Sequence, residues 1–354
     1  MQIIKARLND FRNFKAKLLE FSPQTTVIIG PNASGKTNIL ESLFLLSTGK
    51  SFHARIEEEM VNYDAPLARV KGRVKTDGAV VDLEAVLTRG LIDIGKSAPE
   101  KIARKKLLVN GVGKRLVDFA GNFKVTLFGP WDLDLVTESP TLRRKFLDIV
   151  ISQVDREYRR AALSYEKGLR QRNRLLLRIR EEGLSRSQLL YWNHLLIKNG
   201  DYISQKRDEF INFVNSTGKI DNQKFSLTYD KSAISETRLE EYADEEIAAA
   251  TTLVGPHRDD FIFKKEKDRE LARFGSRGEH RMSILWLKLA ELAFIEEKTR
   301  ERPTLLLDDI FSELDHKHRD VVVKLCGKQQ TIITTADPHY VDKLHGVAMI
   351  ELKK

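Results

Sequence analysis

The stretch Gly30-Pro31-Asn32-Ala33-Ser34-Gly35-Lys36-Thr37, GPNASGKT, decides how this chain is read. Its spacing of Gly, four residues, Gly, Lys and Thr is that of a P-loop. Upstream, residues 26–29 (TVII) are a β-branched run that reads as a buried strand. Downstream, residues 38–46 (NILESLFLL) carry apolar side chains at helical spacing, so a helix opens at or just after Gly35. Strand, glycine loop and helix is the context that gives this motif its meaning.

The chemistry follows from that geometry. Gly30 and Gly35 admit backbone angles and a close approach that a Cβ prevents. Pro31, Asn32, Ala33 and Ser34 complete a loop whose N–H groups, with the positive end of the helix, face an anion. Lys36 reaches the β- and γ-phosphates as a point charge, and the Thr37 hydroxyl is a Mg²⁺ ligand. The expected cofactors are ATP and Mg²⁺.

Composition bounds the rest. A chain of 354 residues suits about two domains. With 41% hydrophobic and 31% charged residues it has material for a sizeable core. A net charge of +9 favours a polyanionic partner, nucleic acid or a membrane surface. The single cysteine, Cys326, fits a reducing cytoplasm. The N-terminal MQIIKARLND lacks the apolar core of a signal peptide, and no apolar run is long enough to span a bilayer. The expectation is a soluble cytoplasmic protein with no membrane association.

Three parts are expected. Residues 1–139 form an ATPase lobe with the P-loop and an antiparallel β-subdomain, its strands at 2–8, 68–74, 80–87 and 106–109, with a turn at Asn110-Gly111. Residues 140–250 form a short helical arm. Within it, residues 156–180 hold nine Lys/Arg against Glu157 and Glu166. Residues 251–354 return to α/β character, with a long helix over 278–298 and buried parallel strands at 304–307 and 331–334.

The strand at 304–307 ends in Asp308-Asp309. In a chain with a P-loop these acids read as a Walker B pair. Asp308 holds Mg²⁺, and Asp309 orients or deprotonates the attacking water. Phe311-Ser312-Glu313-Leu314-Asp315 then reads as a D-loop. Ser276-Arg277-Gly278-Glu279-His280-Arg281 stands where an ABC signature belongs, with Ser276 and Gly278 at a helix N-terminus that suits a γ-phosphate.

Motifs in this order resemble the RecF/SMC/Rad50 group of ABC-type ATPases. The longer stretches are similar to its RecF branch: DFRN, GPNASGKTNILESLFLLSTGKSF, LFGPWDLDLVTESPTLRRKFLD, YEKGLRQRN, TLVGPHRDDF, FGSRGEHR and LLLDDIFSELD, from about residue 9 to 315. The fold so implied is an α/β, ABC-type P-loop ATPase head with an antiparallel β-subdomain and an inserted helical arm. The implied activity is slow, DNA-stimulated ATP hydrolysis that switches an ATP-driven homodimer on duplex DNA near single-strand gaps. RecR and RecO are the implied partners, in loading the RecA recombinase. Glu279 stands where the branch usually has Gln, and Trp131 where it has an acid.

Two other classes compete. A transporter's energising subunit wants a glycine-rich signature and a switch His, and Thr334-Thr335-Ala336-Asp337 carries no such His. A structural SMC/Rad50-type protein wants long coiled-coil arms, for which residues 140–250 are too short. For DNA contact the candidates are Arg143, Arg144, Lys101, Arg104, Lys105 and Lys106, each also readable as a solvated surface cation.

Overall fold

The computed structural model describes residues 1–92, 100–266, 268–313, 316–337, 339 and 346–353. The chain divides into two compact units, residues 1–132 with 291–354, and residues 133–290.

The first unit is built on two sheets. Strands β1 (Gln2–Phe11) and β2 (Phe14–Glu20) open the chain, followed by β3 (Thr25–Ile29) and helix α1 (Lys36–Thr48). Next come β4 (Leu67–Thr76), β5 (Ala79–Thr88), β6 (Lys105–Val109), β7 (Val112–Lys114) and β8 (Val125–Phe128). The C-terminal segment adds β9 (Thr304–Asp308), β10 (Thr331–Thr335) and β11 (Ala348–Glu351). One sheet is antiparallel, in the order β2-β1-β4-β5-β6-β7. The other is parallel, in the order β8-β9-β10-β3-β11.

Each sheet follows from its sequence pattern. β9 (TLLLD) and β10 (TIITT) are buried along their whole length, as parallel strands covered on both faces must be. β4 (LARVKGRVKT) alternates instead, with Ala68, Val70, Gly72 and Val74 inward and four cations outward. Helix α1 is buried all round from Ile39 to Thr48 and packs against strands of both sheets, so the residue that follows Gly35 is firmly placed.

The second unit is helical with a small sheet. Its helices are Pro140–Val154, Arg156–Glu182 and Leu190–Ser216, followed by the antiparallel strands Phe225–Asp230 and Asp260–Lys265. The division differs from the expected three parts, because residues 251–290 group with the helical residues. The reason is pairing: Asp260–Lys265 forms a ladder with Phe225–Asp230, and Asp259 and Asp260 hold Arg207 and Arg143 of the helices. Among the described residues, no helix is long and apolar enough to cross a membrane.

Candidate nucleotide-binding site

β3 runs into the loop at Gly30, and α1 leaves it at Lys36. Both motif glycines are required locally. Gly35 has φ +98°, and a Cβ there would lie 2.7 Å from side-chain atoms of Asn13 and Phe14. A Cβ on Gly30 would meet Ser34 Oγ at 2.7 Å and the Leu352 carbonyl at 2.9 Å. α1 has no side-chain cap and no acid in its first turn, so its N-terminal N–H groups are left for an anion. Ser34 Oγ is buried without a hydrogen-bond partner among the described residues, the condition a phosphate oxygen relieves.

Lys36, only 8% exposed, donates through Nζ to the carbonyls of Gly30 at 2.7 Å and Pro31 at 3.0 Å. Thr37 Oγ1 donates to Asp308 Oδ2 at 2.8 Å, and Thr334 Oγ1 donates to Asp308 Oδ1 at 2.5 Å. The parallel register explains this convergence, since Asp308 pairs with Thr334 and Thr334 with Ile28. Burial pushes the Asp308 carboxyl above its usual range, against the hydroxyls of Thr334 and Thr37 and the charge of Lys36. Two adjacent hard oxygen donors at a phosphate loop fit Mg²⁺. Asp309 has φ +48°, and its N–H bonds Thr334, so the chain turns at once after the strand.

Several residues of the site carry no motif of their own. Arg12 makes a bidentate pair with Glu41 of α1, both bonds 2.7 Å, and Ser51 donates to the same carboxylate. Asn13 Nδ2 donates to the Ser34 carbonyl at 3.2 Å, and Asn38 donates to Asn13 at 2.9 Å. This layer fixes the loop from behind, beside a cleft of about 550 Å³ lined by Arg12, Asn13, Asn38, His53 and Tyr63. Only the pairing of DFRN with the loop motif signalled it in the sequence. Trp131 stacks on Phe52 with ring centroids 5.0 Å apart, and Phe52 meets Phe44 of α1 edge-on at 5.4 Å. The Trp that replaces an acid is thus a packing residue behind α1.

The signature candidate is a capping box in the second unit. Ser276 N–H donates to Glu279 Oε2 at 2.8 Å, and Glu279 N–H donates to Ser276 Oγ at 3.3 Å. Lys265 reaches Glu279 Oε1 at 2.8 Å, and Arg269 bonds the same oxygen. The Lys265 bond, with the Ser276 N–H, holds the Glu279 carboxyl down to about 2. The acid is therefore turned onto its own cap and two cations. A Cβ on Gly278 would meet nothing nearer than Ser276 Oγ at 3.9 Å, so the chain itself does not demand glycine there. In the D-loop candidate Phe311 is buried, while Leu314 and Asp315 lie outside the described residues.

The DNA candidates separate. Arg143 is a correction: it is 9% exposed, forks onto Asp260 at 2.6 and 2.9 Å, and donates to the carbonyls of Leu135 and Glu138. It is an interior ion pair, not a surface cation. Arg144 bonds the Asp259 carbonyl at 2.8 Å and is half-buried. Lys105 pairs with Glu57 at 2.6 Å, and Arg104 with Glu58 at 3.4 Å, whereas Lys101 and Lys106 are exposed. The cation run of 156–180 is mostly exposed, with Arg160, Arg170 and Arg178 paired to acids a turn away, while Arg172 is buried on Glu246 at 2.7 Å.

Comparison with known proteins agrees with this geometry. The family model described as "RecF/RecN/SMC N terminal domain" matches residues 2–354. A protein of Herpetosiphon aurantiacus named DNA replication and repair protein RecF is 34% identical, with 95% of this chain and 94% of that protein covered. One of the same name from Chloroflexus aurantiacus is 36% identical, with 93% and 92% covered. A solved structure described as "the recombination mediator protein RecF-ATPrS in RecFOR pathway" superposes with TM-score 0.88 at 30% identity, over 99% of this chain and 96% of that one. An SMC head at 15% identity and TM-score 0.52 shares the fold.

Proposed function

The chain belongs to the RecF family of the RecF/RecN/SMC proteins, and from that premise we propose an ATP-dependent DNA-binding protein of replication and recombinational repair. It binds duplex DNA near single-strand gaps and works in the cytoplasm with RecR and RecO. ATP closes a homodimer, and slow, DNA-stimulated hydrolysis releases it.

The observation that carries this reading is the 2.8 Å bond from Thr37 to Asp308, which joins the phosphate loop to the end of β9. Thr37 and Asp308 would hold Mg²⁺ there, and the ion would supply charge neutralisation at the phosphates. Lys36 exchanges its two loop carbonyls for phosphate oxygens, and the N–H groups of α1 take the remaining charge. Asp309, at the turn after the strand, orients the attacking water. In ABC-type ATPases the signature of one molecule completes the site of another, and Ser276 suits that role. Its Oγ already accepts from Glu279 N–H, which leaves the hydroxyl proton to donate to a terminal phosphate.

Steady-state ATP hydrolysis by the purified chain, with and without duplex DNA, tests the reading. Slow turnover that rises with duplex and needs Mg²⁺ supports it. No turnover under any condition, or turnover indifferent to Lys36→Ala, rejects it.

A further inference from the structure

The solvent face of the antiparallel sheet carries charge that the fold alone disfavours. In the register of β1 with β4, Lys5 stands opposite Arg73 and Arg7 opposite Lys71, with Lys75 next along β4. All five are exposed. Like charges directly opposite on adjacent strands are destabilising, and here two such pairs stand side by side. Lysines on edge strands guard sheets against pairing with other chains. That does not account for these, because β1 and β4 each have a strand on both sides.

Local acids compensate only in part. Arg73 pairs with Asp82 at 2.8 Å and Arg69 with Glu84 at 3.1 Å, both across to β5, and Glu20 of β2 stands opposite Lys5. Lys5, Arg7, Lys71 and Arg73 converge on a shallow cavity of about 200 Å³ floored by Gly72, with Asp82 as its single acid. From Arg69 to Lys75 the outward positions of β4 form a row roughly 20 Å long, at about 3.3 Å per residue. Over that length a duplex presents about one negative charge per 1.7 Å of axis.

We propose that this face, centred on Lys5, Arg7, Lys71 and Lys75, is a docking surface for the phosphate backbone of duplex DNA. The inference rests on the DNA-binding reading above and assigns it a surface. A polyanion removes the cross-strand repulsion, so the energy stored in the opposed pairs becomes part of the binding free energy. Recognition is independent of base sequence, because cations on a flat sheet face reach phosphates and not base edges.

The test uses the full chain carrying Lys5→Gln and Lys71→Gln, which removes one member of each opposed pair and leaves both ion pairs intact. Lys167→Gln with Arg174→Gln removes the same charge from exposed positions on the helix Arg156–Glu182. Duplex affinity is measured across a salt series, and Tm without DNA. The sheet variant should lose about tenfold or more in affinity, and its log K against log salt slope should flatten by about 2, near 0.9 per phosphate contact. Its Tm should hold or rise. Unchanged affinity and slope in the sheet variant, or an equal loss in the helix variant, overturns the assignment. A lower Tm removes the repulsion premise and overturns it too. A wild-type chain that binds no duplex would instead bring down the DNA-binding reading itself.

Discussion

The loop between β3 and α1 and the arginine cluster of the helical unit are both crowded with charge, yet they are finished differently. Arg207 is closed by two acids and a carbonyl: Asp148 at 2.8 Å, Asp259 at 2.9 Å and the Pro256 carbonyl at 2.7 Å, with Asp259 fully buried. At the loop, Ser34 Oγ is buried without a partner among the described residues, α1 begins uncapped, and Lys36 rests on carbonyls of the loop itself. A satisfied network holds a fold together. A network with polar groups left over is built to receive a ligand, and ordering by unmet hydrogen-bonding capacity separates the two regions where counting charges does not.

Removing one cation from each region breaks the comparison most directly. Lys36→Ala should lower kcat for ATP hydrolysis by about 100-fold or more, the scale for deleting a donor to developing charge. Its denaturant midpoint should stay near wild type, since among the described residues Lys36 bonds two loop carbonyls. Unfolding of the variant at lower denaturant would make Lys36 a structural residue. Arg143→Ala should do the reverse. It leaves Asp260 as an uncompensated, largely buried charge, a cost of about 3–5 kcal/mol in unfolding free energy. The salt slope of DNA binding, measured where the variant is folded, should not change.

What the sequence made legible follows the same line. The convergence of Lys36, Thr37 and Asp308 was readable because each signal is local: a glycine loop at a helix start, and an acid at the end of an apolar strand. Arg143 was not, because its partner Asp260 lies 117 positions away. A cluster such as Arg143-Arg144-Lys145 has the same letters whether it faces solvent or closes inward. The Arg12–Glu41 ion pair was missed for the same reason: DFRN stood out as a stretch, but nothing in it named a partner 29 positions away. The antiparallel sheet was visible as alternation, while the opposed cations on its outer face appear only once the register of β1 against β4 is known.

Asp309→Asn sharpens the contrast by leaving the phosphate grip intact while removing the group that the proposed mechanism assigns to orient water. The variant should bind ATP, hydrolyse it poorly and accumulate as a dimer, because the bridging γ-phosphate persists. Light scattering with ATP, ADP and no nucleotide reads this directly. Equal mass in all three conditions would end the ATP-driven dimer.

The smallest expected effect is at the signature candidate, a satisfied network that the proposed dimer would set beside a terminal phosphate. There Glu279 would bring a negative charge, which its bonds to Lys265 and Arg269 offset. Lys265→Ala with Arg269→Ala should therefore weaken ATP-driven dimerisation by about tenfold, since an exposed carboxylate then opposes the phosphate, about 1.4 kcal/mol. Adding Glu279→Gln to that background removes the charge and keeps an acceptor for the Ser276 N–H, so dimerisation should recover. Three independent structural losses would instead accumulate. The pH dependence has a definite sign. The Glu279 carboxyl titrates near 2 in the fold against 4.5 unperturbed, so the stability it contributes is present above about 4.5 and is lost as pH falls toward 2. In the Glu279→Gln single variant that acid-induced loss should shrink. The uncompensated Lys265 and Arg269 should at the same time tighten the ATP-bound dimer at low salt. A triple variant no better than the double would show that Glu279 holds the helix cap and nothing more.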